Sequence, residues 1–205
     1  MADLPDRPHR PALHADLTAL IDAAGGAEPG SRAEIAAATA AVVVNAGRQD
    51  AEDDERFVGL ADRIGLDTLA ALWRDADPVS LPGALWALYL LRQWCHTNAT
   101  DVTRFWRAGE AVAAADAVVA GVADYADVAA VRQVADAVLG GAYRGDFAVA
   151  LERAAALFRV LAAGRRELVP DGDRAELELG RAARNERVAA DLTTAAARWR
   201  AGTLH

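Results

Sequence analysis

Residues 80–97, Ser-Leu-Pro-Gly-Ala-Leu-Trp-Ala-Leu-Tyr-Leu-Leu-Arg-Gln-Trp-Cys-His-Thr, set the terms for any fold of this chain. Ser80 can cap a helix, and Pro82 falls in its first turn, where a missing N–H costs nothing. At helical spacing Leu81, Ala84, Trp86, Ala87, Leu88, Leu90, Leu91, Trp94 and Cys95 spread over about two thirds of the circumference. A helix so apolar must be enclosed by others, so it is predicted as the central element. Its remaining sector carries Tyr89, Arg92, Gln93 and His96, with Leu85 among them.

The rest of the chain favours the same state. Of 205 residues, 52 are alanine; all 22 basic side chains are arginine, and only three isoleucines occur. Alanine, leucine and arginine head the helix scale, so helix is the easy conformation throughout. Pro11 opens a helix that Gly25-Gly26 ends, and Ser31-Arg32-Ala33-Glu34 fits a capping box for a second, stopped at Gly47. Asp50 caps a third, carrying Phe57, Leu60, Ala61 and Ile64 to Gly65, and Asp67 caps a short fourth through Leu69, Leu72 and Trp73. After the central helix, Thr100 or Asp101 caps one with Val102, Phe105, Trp106 and Val112 turned inward, running on to about Val119. Another spans about Tyr125 to Leu139 and ends at Gly140-Gly141. Asp146 caps the next, whose Phe147, Leu151, Ala154, Leu157, Phe158 and Leu161 form a 3.6-period stripe up to Gly164. The last helix, about Asp173 to Arg200, is polar apart from a narrow stripe of Val188, Leu192, Ala195 and Trp199. Ala111, Ala113, Ala114, Ala115 and Ala117 suggest helices whose backbones approach closely.

The fold class is therefore all-α: a multi-helix bundle of about eight or nine helices around a central apolar helix 81–97. Residues 1–10 read as a disordered tail and 11–168 as a single domain. Residues 169–205 read as a C-terminal helix packing on the bundle or on a second subunit.

Charge and composition narrow the partners. The net charge of −8 is lopsided, with 15 acids against 7 arginines in residues 1–80 and near balance beyond. Such a field opposes phosphate-driven nucleic-acid binding. Arg165, Arg166, Arg174, Arg181, Arg184 and Arg187 make a locally basic stretch that interleaved acids turn into a solvated helix face. The apolar run Leu81–Leu91 covers eleven residues, well short of the roughly 20 of a spanning helix, so no membrane is expected. The acidic, proline-bearing opening lacks an apolar signal region, and Cys95 has no partner for a disulfide; both point to the cytoplasm.

Glu52 and Glu55 in the acidic run 50–55 have the E-x-x-E spacing of helical magnesium-dependent hydrolases, but the following helix supplies only Asp67, with Asp75 and Asp77 near its end. The competing account is acids crowding a helix N-terminus. Histidines do not pair at metal-binding spacing, and His9 and His205 fall in tails. The only serines, Ser31 and Ser80, read as caps, and no lysine exists to complete a phosphate loop. No cofactor is expected, and no catalytic residue is assigned. Tyr89, Arg92, Gln93 and His96 fall within about 100° of arc, and Arg104 and Arg107 follow on the next helix. If they converge, they form a cationic pocket rimmed by Trp86, Trp94 or Trp106, suited to a small anion. Alternatively, Arg92 and His96 reach solvent or pair with acids such as Asp101.

The segment Leu81–Trp94 resembles an all-helical family of high-GC bacteria, some relatives of which carry an RNA polymerase beta-subunit label. The resemblance extends through the alanine-rich part to about Gly164 and implies an all-helical fold. It brings no catalytic residues. The label finds no support here, since that subunit is far longer, strand-rich and lysine-bearing.

The leading expectation is a non-catalytic cytoplasmic helical protein acting through protein–protein interaction, as a homodimer through the C-terminal helix or with another protein partner. The alternatives are a bundle binding a small anion at the Tyr89–His96 sector, and a metal-dependent hydrolase at Glu52 and Glu55.

Overall fold

The computed structural model describes residues 29–49, 55–121, 127–170, 172 and 174–205. In chain order the helices are α1 (Pro29–Gln49), α2 (Glu55–Val58), α3 (Leu60–Ile64), α4 (Leu66–Trp73), α5 (Leu81–Thr97), α6 (Ala99–Gly109), α7 (Ala114–Ala120), α8 (Val128–Arg144), α9 (Phe147–Glu167) and α10 (Arg174–Arg200). No strand occurs among the described residues, and the chain is an all-α multi-helix bundle. None of the described helices is long and apolar enough to cross a membrane. The tail predicted over 1–10 and the helix from Pro11 lie outside the described residues.

α5 begins as its sequence dictates. The Ser80 hydroxyl accepts from Gly83 N–H at 3.3 Å, Pro82 stands in the first turn, and Leu81 N–H donates to the main-chain oxygen of His205 at 3.0 Å. His205 is therefore tied to the start of α5 and not in a free tail; Leu204 beside it is buried. α5 packs against α1, α4, α6, α8, α9 and α10, as an enclosed central helix must. Its polar sector is enclosed too: Leu85 and Tyr89 are fully buried and Arg92 nearly so.

α9 is the second hub. Asp146 caps it through Ala148 N–H at 2.8 Å, and burial runs round most of its surface, since Ala148, Ala150, Ala155, Ala156 and Ala162 lie inside as well as the predicted stripe. The small residues let neighbours come close. A Cβ built on Gly164 would overlap the Phe105 carbonyl, and one on Gly109 would overlap that of Val160, so α6 and α9 cross backbone to backbone at this glycine pair.

Helix boundaries depart from the sequence reading where packing overrides local signals. α1 starts at Pro29, with Ser31 already inside its first turn, and passes through Gly47, where a Cβ would strike the Tyr143 ring. Gly140-Gly141 likewise lies within α8, which Asp127 caps through Ala130 N–H at 2.8 Å. Gly59 separates α2 from α3, and Gly65, not Asp67, is the N-cap of α4. The run predicted from about residue 100 to Val119 breaks at 110–113, because α7 is held along α9 by Arg153, which donates to the Ala120 carbonyl, and by the Arg159–Asp116 pair at 3.2 Å. Val112 is consequently exposed, not inward, and Ala111, Ala114 and Ala115 face out. The close alanine packing lies instead between α9 and α10, whose Ala182, Ala189, Ala195 and Ala196 are fully buried. The stripe of Val188, Leu192, Ala195 and Trp199 packs into the same core, with Trp199 against Phe147 at 4.8 Å.

Candidate functional site

The polar sector of α5 is spent on holding helices together. The Tyr89 hydroxyl donates to the Phe57 carbonyl at 2.7 Å, which leaves Tyr143 as the donor in the 2.8 Å contact between the two phenols. Burial pushes both phenols well above their ordinary range. Arg92 donates from Nε to Asp136 at 2.6 Å and grips Asp62 with Nη1 and Nη2 at 3.1 and 2.9 Å. Desolvation pulls its guanidinium down, but the two carboxylates outweigh it and the net direction is up. His96 Nε2 meets the same Asp136 oxygen at 3.0 Å. Arg92 and His96 thus converge on one carboxylate of α8, while Gln93 stays half-buried at the edge. Arg104 and Arg107 are exposed on α6, and Arg104 pairs with Asp101 at 3.6 Å, away from this cluster. Cys95 is fully buried, and desolvation pushes its thiol up to about 12.

An opening among the described helices lies on the opposite side of α5. Trp94 stands about 160° round the helix from Arg92. There Trp86 and Trp94 are only half-buried and Leu90 is 39% exposed, although all three belong to the predicted enclosed arc. α10 approaches this face without closing on it, and leaves a cavity of about 380 Å³. Its walls are Trp86, Ala87, Leu90, Leu91 and Trp94 of α5, Phe158 of α9, and Val188 and Leu192 of α10. Asn185, Arg184, Asp191 and Arg74 supply the polar lining. Asn185 Nδ2 is buried without a hydrogen-bond partner, an arrangement that ordinarily costs about 1–3 kcal/mol. Burial, with Asp77 nearby, raises the Asp191 carboxyl above its ordinary value.

A second cavity, of about 400 Å³, shares Trp94 and lies further toward the start of α10. Asn98, Asp101, Arg104, Phe105, Arg165, Glu178 and Arg181 complete its lining. Arg165, expected on a solvated face, is only 8% exposed. Its guanidinium lies 5.1 Å from the Trp94 ring centre and 4.2 Å from that of Phe105, and Nη1 donates to Glu178 at 2.6 Å. Nε is buried and unpartnered. Desolvation pulls Arg165 down, offset in part by Glu178. Desolvation in turn raises Glu178, but Arg181 and Arg165 together hold its carboxyl below the ordinary range.

The structure therefore separates the six residues grouped by sequence. Tyr89, Arg92 and His96 act as internal staples, and Arg104 joins a cationic cavity with Arg165 and Arg181. Arg165 was legible in principle, because Phe158, Leu161 and Arg165 continue one stripe at three- and four-residue spacing. Asp62, Asp136 and Asn185 carried no such signal. Glu52 and the side chain of Glu55 lie outside the described residues, among which no group of three or more His, Cys, Asp or Glu is placed to hold a metal. Comparison of the chain with protein-family models, curated proteins and solved structures gives no match in any of the three.

Proposed function

We propose that this chain is a non-catalytic cytoplasmic binding protein that holds a small, largely apolar molecule in the cavity between α5 and α10. The carrying observation is the composition of that cavity: two tryptophan walls, Phe158 of α9, aliphatic side chains from α5 and α10, and few polar side chains among them. Its 380 Å³ falls in the range of small-molecule sites, which combine an apolar lining with a few polar groups that fix orientation.

Titration with the neutral fluorophore N-phenyl-1-naphthylamine tests this reading through energy transfer from Trp86 and Trp94. Saturable binding at one site per chain is expected, and a linear, non-saturating signal removes the reading.

A second reading, association through protein–protein contact, is favoured by Val112, Val118 and Val119, which are 62%, 82% and 51% exposed around α7. The homodimer belongs to this reading. The stripe on α10 no longer motivates it, because those side chains pack inside the same chain. Light scattering that gives twice the chain mass, reverting to one on Val118→Asp, supports it. A monomer at all micromolar concentrations removes it.

A further inference from the structure

We propose that the molecule held between α5 and α10 is a single-chain organic anion, its carboxylate received by Arg165, Arg181 and Arg104 and its apolar chain laid past Trp94. This inference rests on the reading of the α5–α10 cavity as a binding site, and it names the chemistry of the ligand.

The two cavities follow one another along α10 and share Trp94 as a common wall, the one apolar and the other cationic. Glu178 in the second and Asn185 in the first are about 10 Å apart at 1.5 Å per residue, the length of a medium alkyl chain. Charge at the cationic end is unbalanced in a chain whose net charge is −8. Arg104, Arg165 and Arg181 face Asp101 and Glu178, and Arg174 lines the adjoining recess with Arg104 and Arg181. The Arg104–Asp101 contact is a loose 3.6 Å between two exposed side chains. Glu178 serves two guanidiniums at once, Arg165 through Oε2 and Arg181 through Oε1.

A guanidinium has five N–H donors suited to paired carboxylate oxygens, and Arg165 directs only Nη1 to an acceptor. Two aromatic faces and one shared carboxylate leave this buried cation under-compensated. A second carboxylate completes it. Glu178 then acts as a tethered anion that the ligand carboxylate joins or displaces.

Displacement of N-phenyl-1-naphthylamine by decanoate and by 1-decanol, both below their aggregation limits, separates the charge from the chain. Decanoate is expected to displace the probe at a concentration at least tenfold lower than decanol. Arg104→Gln with Arg181→Gln, both exposed positions, is expected to erase that preference while leaving decanol unchanged. Glu178→Gln is expected to strengthen decanoate severalfold without affecting decanol. Equal potency of the two compounds on the unaltered chain overturns the inference, as does Glu178→Gln weakening decanoate alone. In either case the cavity reading stands, because the probe still binds; if the probe never binds, that reading has failed first. Flotation with phosphatidylglycerol vesicles distinguishes a free anion from a bilayer headgroup. Vesicle binding without a decanoate preference also overturns the inference.

Discussion

Arg92 shows how one side chain can be read two ways from sequence and only one way in three dimensions. A lone arginine on an apolar helix fits a ligand pocket or an ion pair equally well, and its partners Asp62 and Asp136 lie 30 and 44 residues away. Nothing local could reveal them. Arg92→Ala leaves two carboxylates facing each other without their shared cation, and it should cost about 2–3 kcal/mol in urea unfolding. Probe binding at Trp86 and Trp94 should not change, since Arg92 lies on the far side of α5. The Tyr89–Tyr143 pair makes a second test at this scale. Both phenols are raised by burial, so their neutral forms favour the folded state. The contribution is complete below the unfolded value of about 10 and is lost as pH climbs toward the folded values. Stability should therefore fall above pH ~10, and Tyr89→Phe with Tyr143→Phe should flatten that fall in alkaline denaturation. An identical slope in the double variant would contradict this account of the pair.

Among elements, some caps were legible and most breaks were not: Ser31 and Asp101 lie inside their helices, Asn98 and Gly65 are the N-caps of α6 and α4, and only Gly65 ends a helix, α3, as read. Ser80, Asp127 and Asp146 all accept the backbone N–H bonds that helix starts require. Of these, Ser80 and Asp146 were identified from sequence; the helix capped by Asp127 was placed only from about Tyr125. Gly47, read as a stop, is instead a point where the Tyr143 ring takes the space of the missing side chain, and Gly140-Gly141 lies inside α8, where a Cβ on Gly141 would make only ordinary contact with Ala150. Local signals specify where a helix can end, and packing decides whether it does. The α6–α9 crossing gives the sharpest contrast. Gly164→Ala pushes a methyl into the Phe105 carbonyl and should lower stability by about 1–3 kcal/mol or more. Gly180→Ala meets open space within α10 and should raise stability by about 0.5–1 kcal/mol. Calorimetry on the two variants should give melting temperatures shifted in opposite directions.

For the molecule as a whole, the sequence demanded that α5 be surrounded, and the bundle almost complies. The face where it does not, from Trp86 through Leu90 to Trp94, is the cavity on which the functional reading depends. That gap could not be read from α5 alone, because its existence depends on how far α10 stands off. Its cationic continuation was hidden for a related reason: interleaved acids made the arginines of the C-terminal region look like an ordinary solvated face, while Arg165 lies between Trp94 and Phe105. The claim that the α5–α10 cavity is a binding site is tested most directly by filling it. Ala87 lines the cavity from α5, and Ala87→Phe puts a ring where the ligand is proposed to lie. Titration of N-phenyl-1-naphthylamine into this variant should show at least a tenfold loss of affinity, with a melting temperature equal to or above that of the unaltered chain. Unchanged affinity in a folded Ala87→Phe protein would place binding elsewhere and contradict the account.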